Sequence, residues 1–357
     1  MTSIHDVARH TGVSTATVSR ALRGLPNVSP KTRQAVQAAA AELGYVPSPS
    51  AAGLSSGRHR AIGVVIPSMG RWFYTEVVEG ADSVLRREGY DAFLVNLGAG
   101  PGARERLFHN ALLRKRADAV IALGIDFSKE ERRELRSLQM PAIVVGAPVR
   151  GLRTVGIDDE AATRLAMGHL MSLGHTRIAH IGGENEYGMD YTVALVRRDA
   201  WRAALRSQGV EARDDWFISA GFQMPPAKVA ARVLLDRPDR PTAVFAGSDE
   251  MAFGVLLAAG ELGLKVPDDL SVIGIDDHAW SEAFGLTTIR QDPQAQGVTA
   301  ARIVLDELQG IHTRQRVVRA ECSLVLRRTT AAPPSGHREP LSAPPAAVRS
   351  VGVLEPT

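Results

Sequence analysis

Arg20 is a long cationic side chain in the segment GVSTATVSRALRG, residues 12–24, where it stands among Thr15, Ala16 and Ser19 at helical spacing. A guanidinium so placed can grip guanine O6 and N7 through two hydrogen bonds, while threonine and alanine methyls can touch the methyl of thymine. Thr17 and Ser19 carry hydroxyls suited to phosphate oxygens, contacts that fix register without reading sequence. A second set of polar and aromatic residues lies at the ends of apolar runs. Phe73 and Tyr74 follow IGVVIP, Asp158 ends TVGID, Asp249 follows VFAGS with Ser248 beside it, and Asp276 ends VIGID. Arg197 precedes the helix containing Trp201. Carboxylates and arginine can hold hydroxyls pairwise, and aromatic faces can stack on the apolar face of a sugar ring. Each aspartate could equally be a helix N-cap or a turn residue.

The first set needs helices to present it. In SIHDVARHTG, Ser3 precedes Asp6 by the spacing of a capping box, Ile4, Val7 and Ala8 share a face, and Gly12 is a stop. A second helix follows with Ser14 as N-cap and Val18, Ala21 and Leu22 inward. A third starts at Ser29 and Pro30 and runs to about Leu43, with Val36, Ala39 or Ala40, and Leu43 closing a small core. Two short helices joined by a turn with Gly12 make a helix-turn-helix, whose second helix enters the DNA major groove by its N-terminal residues, Ser14 through Arg20 here. Next, Ser48 and Pro49 could open a helix over residues 49–55, too short to persist in water and ordered by a partner or by DNA. Ala51 and Leu54 are its candidate DNA contacts. Leu54 either wedges into a minor-groove step or docks on the next domain.

Charge divides the chain the same way. Residues 1–60 hold seven basic residues against Asp6 and Glu42, a net +5, whereas the remaining 35 basic and 37 acidic residues give −2. This asymmetry points to an N-terminal module that meets a polyanion. At 357 residues, 45% hydrophobic and 23% charged, the chain suits two or three soluble domains. No apolar run is long enough to cross a bilayer, and the N-terminus lacks the apolar core of a signal peptide, so a cytoplasmic location and no membrane partner are expected. The single cysteine, Cys322, excludes a disulfide framework and reads as a buried small hydrophobe in CSLVL.

The second set needs strand ends. From Ala61 the runs IGVVIP, DAFLVNL, DAVIALG, PAIVVGA, RIAHIGG, TAVFAGS and LSVIGID alternate with helical patterns, which predicts parallel, doubly wound α/β sheets. Seven runs with a possible crossover at TVGIDDEAATRL suit two lobes with a ligand cleft beyond the strand carboxyl ends. LGAGPGA, residues 97–103, mimics a dinucleotide fingerprint, but it follows the second strand and Pro101 removes an amide, so it reads as a loop. No H-E-x-x-H, Cys/His cluster or G-x-S-x-G occurs, so no catalytic residue, metal or cofactor is expected and His169 and His175 read as structural. The tail from Ala331, rich in Pro, Ala and Ser, is expected to be disordered and lacks coiled-coil heptads.

IHDVARHTGVSTATVSRALRG, VSPKTRQAVQAAAAELGYVPS and AAGLSSGRHRAIGVVIP closely resemble the LacI/GalR family of bacterial transcriptional repressors. The likeness continues through GHLMSLGHTRIAHIGG, DRPTAVFAGSDEMAFG, VPDDLSVIGIDD and LTTIRQD, to about residue 329. The resemblance implies a homodimer that binds a near-palindromic double-stranded operator under control of a small effector, usually a sugar or nucleobase. It implies a helix-turn-helix head (1–46), a hinge helix (47–60) and a type I periplasmic-binding-protein-like body whose chain crosses between lobes three times. The lobes would be 61–158 plus 291–319 and 159–290 plus 320–330, with the tail at 331–357. By the same resemblance Phe73, Tyr74, Arg197, Asp276 and Gln291 match the commonest effector contacts. Ser248 replaces an amide frequent in relatives, and Leu123 is apolar at a strand-end position that is polar in others. The competing class is a sugar-binding transport protein without DNA function, against which the basic head argues.

Overall fold

The computed structural model describes residues 2–45, 59–98, 116–125, 127–137, 140–183, 192–311 and 315–335. The hinge segment with Ala51 and Leu54, the glycine-rich stretch from residue 99 and the tail beyond 335 lie outside them. The first residues of the tail are ordered against the second lobe, the Ala331 carbonyl bonding His175 and Ser271, contrary to the disorder expected from Ala331 onward. Serines start the three head helices. α1 (Ile4–Thr11) follows Ser3, whose backbone N–H and hydroxyl donate to the Asp6 carboxylate at 2.9 and 2.7 Å. α2 (Thr15–Leu22) follows Ser14, whose Oγ accepts the Thr17 N–H at 3.2 Å. α3 (Pro30–Glu42) follows Ser29, which serves Thr32 likewise at 3.1 Å. These caps satisfy N–H groups that a first turn leaves without an intrahelical partner. Gly12 ends α1 at φ 68°, where a Cβ would be strained. Val7, Ala8, Val18, Ala21, Val36, Ala39 and Ala40 form the core of the head, with Ile4, Leu22 and Leu43 at its half-buried rim.

Among the described residues, the body is built from two six-stranded sheets. The chain runs through β1 (Ala61–Ile66), α4 (Trp72–Arg87), β2 (Asp91–Asn96), β3 (Ala119–Leu123), α5 (Lys129–Ser137), β4 (Ala142–Val145) and β5 (Arg153–Gly156). It then crosses to α6 (Asp159–Ser172), β6 (Ile178–Gly182), α7 (Thr192–Ser207), β7 (Phe217–Ser219), α8 (Met224–Leu235), β8 (Ala243–Ala246), α9 (Asp249–Glu261), β9 (Ser271–Asp276), α10 (Ser281–Phe284) and β10 (Thr287–Arg290). After β10 it returns through α11 (Pro293–Leu308) to β11 (Val317–Arg319), and crosses once more to β12 (Ser323–Val325). The first sheet has the order β11-β5-β4-β3-β1-β2 and the second β12-β10-β9-β8-β6-β7. β12 is antiparallel to β10, and the other ladders are parallel.

The seven apolar runs are β1, β2, β3, β4, β6, β8 and β9. Strands with helices on both faces have no solvated side, hence their unbroken Val/Ile/Ala composition. β2, at a sheet edge, is the exception and exposes Asp91, Leu94 and Asn96. Two apolar clusters flank each sheet. α4 and α11 cover one face of the first sheet at very close approach, because a Cβ on Gly80 would strike the Gln294 carbonyl and one on Gly297 the Val77 carbonyl.

Candidate functional site

Two surfaces carry the chemistry. On the head, α2 buries Val18 and Ala21 and turns Ala16 and Arg20 to solvent, with Ser14 exposed and Thr15, Thr17 and Ser19 half-buried. Ser14 Oγ and Thr17 Oγ1 lie 3.0 Å apart and close the cap together. The helix N-terminus therefore presents first-turn N–H groups and two hydroxyls within one turn of each other. That is an anion-binding arrangement suited to a backbone phosphate. Alanine at position 16 lets the helix backbone approach a groove closely, and Arg20 extends one turn farther.

In the body, the carboxyl ends of the two sheets face each other across a cleft of about 840 Å³, counting the space at its open mouth. Phe73 and Tyr74 enter it from the first turn of α4, Ser248 from the N-cap of α9, Asp276 from the end of β9, and Gln291 from the residue after β10. Arg197 enters from within α7, the helix that also holds Trp201, rather than from ahead of it. Gly124 follows β3 at φ 58° and leaves room for the Tyr74 ring, which any Cβ there would meet. Ile125, Val144, Val149 and Ile157 give the cavity an apolar wall, with Val193 and Phe222 lining it from the second lobe.

Asp158 and Asp249 do not line the cavity. Asp158 is the N-cap of α6, its Oδ1 accepting the Ala161 N–H at 3.0 Å, and it is the next residue, Asp159, that turns inward. Asp249 is fully buried beneath the cleft. Its carboxylate accepts the Thr288 hydroxyl (2.6 Å), the Ser281 hydroxyl (2.6 Å) and the His278 N–H (2.9 Å), which ties α9 to α10 and β10. Leu123 is likewise fully buried in the core of the first lobe.

Two polar assemblies remain in the cavity. The Arg197 Nε and Nη2 donate to Asp159 Oδ1 at 2.9 and 2.7 Å, and its Nη1 donates to the Gly247 carbonyl. Both side chains of this ion pair are 7% exposed, so the guanidinium is held in one orientation. In the second, Gln296 Nε2 donates to Gln291 Oε1 at 2.9 Å and Gln291 Nε2 donates to Asp276 Oδ1 at 2.7 Å. Burial, and then the neighbouring Asp249 carboxylate, push the Asp276 carboxyl well above the usual carboxylate range. Asp249 is raised as well, again chiefly by burial, but its three donors favour the ionised form there. We therefore place the proton on Asp276. Glu250, which also lines the cavity, is raised by burial.

At the mouth the lobes touch. Arg71 Nη2 donates to the Gly221 carbonyl at 2.7 Å, with its guanidinium 5.4 Å from the Phe222 ring centre and 6.0 Å from that of Tyr74. The Trp72 ring lies 4.5 Å from that of His278. Sequence reasoning missed Arg71, Asp159, Phe222, Glu250 and Gln296. The doublet Asp158-Asp159 was the available signal for one of them, since a cap and a first-turn residue adjacent in sequence point in different directions. His175 bonds Thr242, Ser271 and the Ala331 carbonyl, and His169 bonds Thr330. Cys322 is half-buried against the core of the second lobe, and burial raises its thiol pKa.

Residues 3–48 match the family described as bacterial regulatory proteins, lacI family, and residues 167–330 match a periplasmic binding protein-like domain. The HTH-type transcriptional repressor CytR of Escherichia coli (strain K12) is 35% identical over 340 residues, covering 93% of this chain and 97% of that protein. The HTH-type transcriptional repressor PurR of Vibrio vulnificus (strain CMCP6) is 32% identical over 334 residues, covering 92% and 98%. Among solved structures, a lac repressor dimer bound to operator and the anti-inducer ONPF superposes with a TM-score of 0.81 at 28% identity, covering 93% of this chain and 99% of that one. The described residues contain no helix long and apolar enough to span a membrane. With this head, this two-lobed body and relatives alike over nearly their whole length, the chain belongs to the lacI family of bacterial regulatory proteins and is a DNA-binding transcriptional regulator.

Proposed function

We propose that the chain acts as a cytoplasmic homodimeric repressor without enzymatic activity, whose affinity for a near-palindromic operator is set by a sugar or sugar derivative held between the lobes. The observation that carries this reading is the composition of the cleft. Fixed polar groups, Arg197 with Asp159 and Asp276 with Gln291, stand on the second-lobe side and in the adjoining crossover, while Phe73 and Tyr74 on the first lobe and Phe222 on the second supply ring faces. A sugar ring has hydroxyl edges for the first group and apolar C–H faces for the second. Ser248 would add one hydroxyl; Asp158 and Asp249 serve the scaffold instead. A solved regulator–cellobiose complex, CelR, is 29% identical to this chain with a TM-score of 0.68, which supports a carbohydrate in the corresponding cleft.

The effector must bind one arrangement of the lobes better than the other to change operator affinity at all. Ligands that bridge Phe73 and Arg197 favour closure, and the three strand crossings convert that into a change at the linker end of the first lobe. A thermal-shift screen over hexoses, disaccharides and nucleosides tests the effector class: stabilisation by nucleosides and by no carbohydrate would overturn it. A gel shift on palindromic duplexes tests the head. Arg20→Ala is expected to weaken the preferred operator by roughly 10- to 100-fold, with preference relaxed at one base position in each half-site. A uniform loss across all positions would reassign Arg20 to the phosphates.

A further inference from the structure

We propose that the linker-side edge of the first sheet is a second DNA surface, one in which Arg60, Arg116, Arg136 and Arg316 meet backbone phosphates flanking the site read by the head. The inference rests on the chain being a DNA-binding regulator, and it concerns a part of the body with no role in the cleft.

All strands of that sheet are parallel, so their amino ends lie together, opposite the cleft, and the chain arrives from the head at this edge, at Ala61. Arg60 directly precedes β1 and Arg316 directly precedes β11. Arg116 lies three residues before β3, and Arg136, in the last turn of α5, lies six residues before β4. All four are exposed. β5 itself opens with Arg153. In the order β11-β5-β4-β3-β1, an arginine thus heads five neighbouring strands. At about 4.8 Å per strand the row spans about 19 Å, a length of duplex axis that carries about eleven phosphate charges.

Two of the acids here, Asp118 and Glu307, are already engaged, while Asp91 stands exposed at the start of β2, outside the row. Asp118 accepts the backbone N–H groups of His59 and Arg60, both at 2.7 Å, and Glu307 pairs with Arg153 at 2.5 Å. Arg136, Arg153 and Arg316 rim a recess of about 1030 Å³ open to solvent, wide enough for a phosphate. The matching edge of the second sheet differs, because Arg213 and Arg237 there are tied to Asp215 and Asp239. Thirteen residues separate Tyr45 from His59 and can span at most about 45 Å, so a duplex held by the head stays within reach of this edge.

The test is anisotropy of the full chain with a labelled 40-bp duplex of arbitrary sequence, titrated across NaCl concentrations. The triple variant Arg116→Ala, Arg136→Ala, Arg316→Ala should lower the slope of log K against log[salt] by about 1–3 per protomer, about 0.9 for each phosphate no longer neutralised. The triple Arg→Lys variant should keep the wild-type slope. Removing equal charge from the second lobe, with Arg164→Ala, Arg206→Ala and Lys265→Ala, should leave the slope unchanged. An unchanged slope in the first variant, or equal falls in the first and the control, would overturn the proposal alone. Failure of the wild-type chain to bind any duplex would overturn the regulator reading and this inference with it.

Discussion

Asp276 ends β9 at φ 139° and its neighbour Asp277 sits at φ 58°, conformations that residues with a side chain rarely adopt and that persist where the surroundings over-determine them. Asp277 is held by Arg290 and Arg327, both at 2.6 Å, and this anchoring aims Asp276 into the cleft. Facing Asp276 are Asp249 and Glu250 from α9, Arg197 from α7 and Gln291 after β10. Arg197, already bonded to Asp159, only partly offsets the two acids. An unfolded Asp276 ionises near pH 4, whereas the folded one keeps its proton to much higher pH. The folded state therefore binds the extra proton, its stability is complete below about pH 4, and stability falls as pH rises toward about 8. Asp276→Asn removes that titration. The variant should gain on the wild type in urea unfolding by up to about 1 kcal/mol per pH unit over this range. Parallel pH profiles would mean that Asp276 is ionised in the folded protein. At this scale the residues pointed to Arg197 and Asp276, and the family resemblance to Gln291, all of which line the cleft. But an aspartate at a strand end has the same local signature whether it caps a helix, as Asp158 does, braces a loop, as Asp249 does, or lines the cavity, as Asp276 does. Only the neighbours that the fold supplies separate the three.

Among the elements, the junction of linker and β1 is the one where effector and operator must communicate. Arg60 stands at φ 52°, held by the two backbone N–H bonds to Asp118 at the start of β3. β1 and β3 are neighbours in the sheet and their far ends lead to Tyr74 and Gly124, so two adjoining strands connect the cleft to this clamp. Asp118→Ala should leave effector affinity unchanged in thermal-shift titration, while shrinking the ratio of operator affinities with and without effector. A full ratio would mean that coupling bypasses the clamp. The long apolar strands were legible because burial on both faces removes polar residues. β7, β11 and β12 run for only three residues and are half-buried or exposed, and β5 and β10, no shorter than β4 and β8, carry Arg and Thr that break the apolar run. The three caps of the head were legible in full, since a cap is a local contract between a side chain and the next turn.

At the scale of the whole molecule, the cleft depends on parts distant in sequence. Arg71 and Gly221 meet across the mouth although 150 residues apart, a closeness no window of sequence displays. The outer face of the second lobe raises the question of partnership. α8 exposes Val229 and Val233, at 66% and 65%, one turn apart on a single face, and α9 beside it exposes Leu257. The ion pair of Lys228 with Glu261 (2.5 Å) and that of Arg232 with Glu261 (3.5 Å) bind the two helices together at the margin of this patch. An apolar stripe on the outside of an otherwise amphipathic helix suits a self-complementary contact about a two-fold axis, and a two-fold pair would set two heads against a palindrome. Val233→Asp places a charge in that contact and should shift the chain toward monomer in sedimentation velocity at micromolar concentration. Operator affinity should fall by roughly 10-fold or more, because each lone head keeps only one half-site's contacts. Leu165→Asp, on α6 at 44% exposure, adds the same charge elsewhere on the lobe and should leave both measurements unchanged. Should Val233→Asp remain dimeric with normal operator affinity, the pairing surface lies on another face and the stripe on α8 is no part of it.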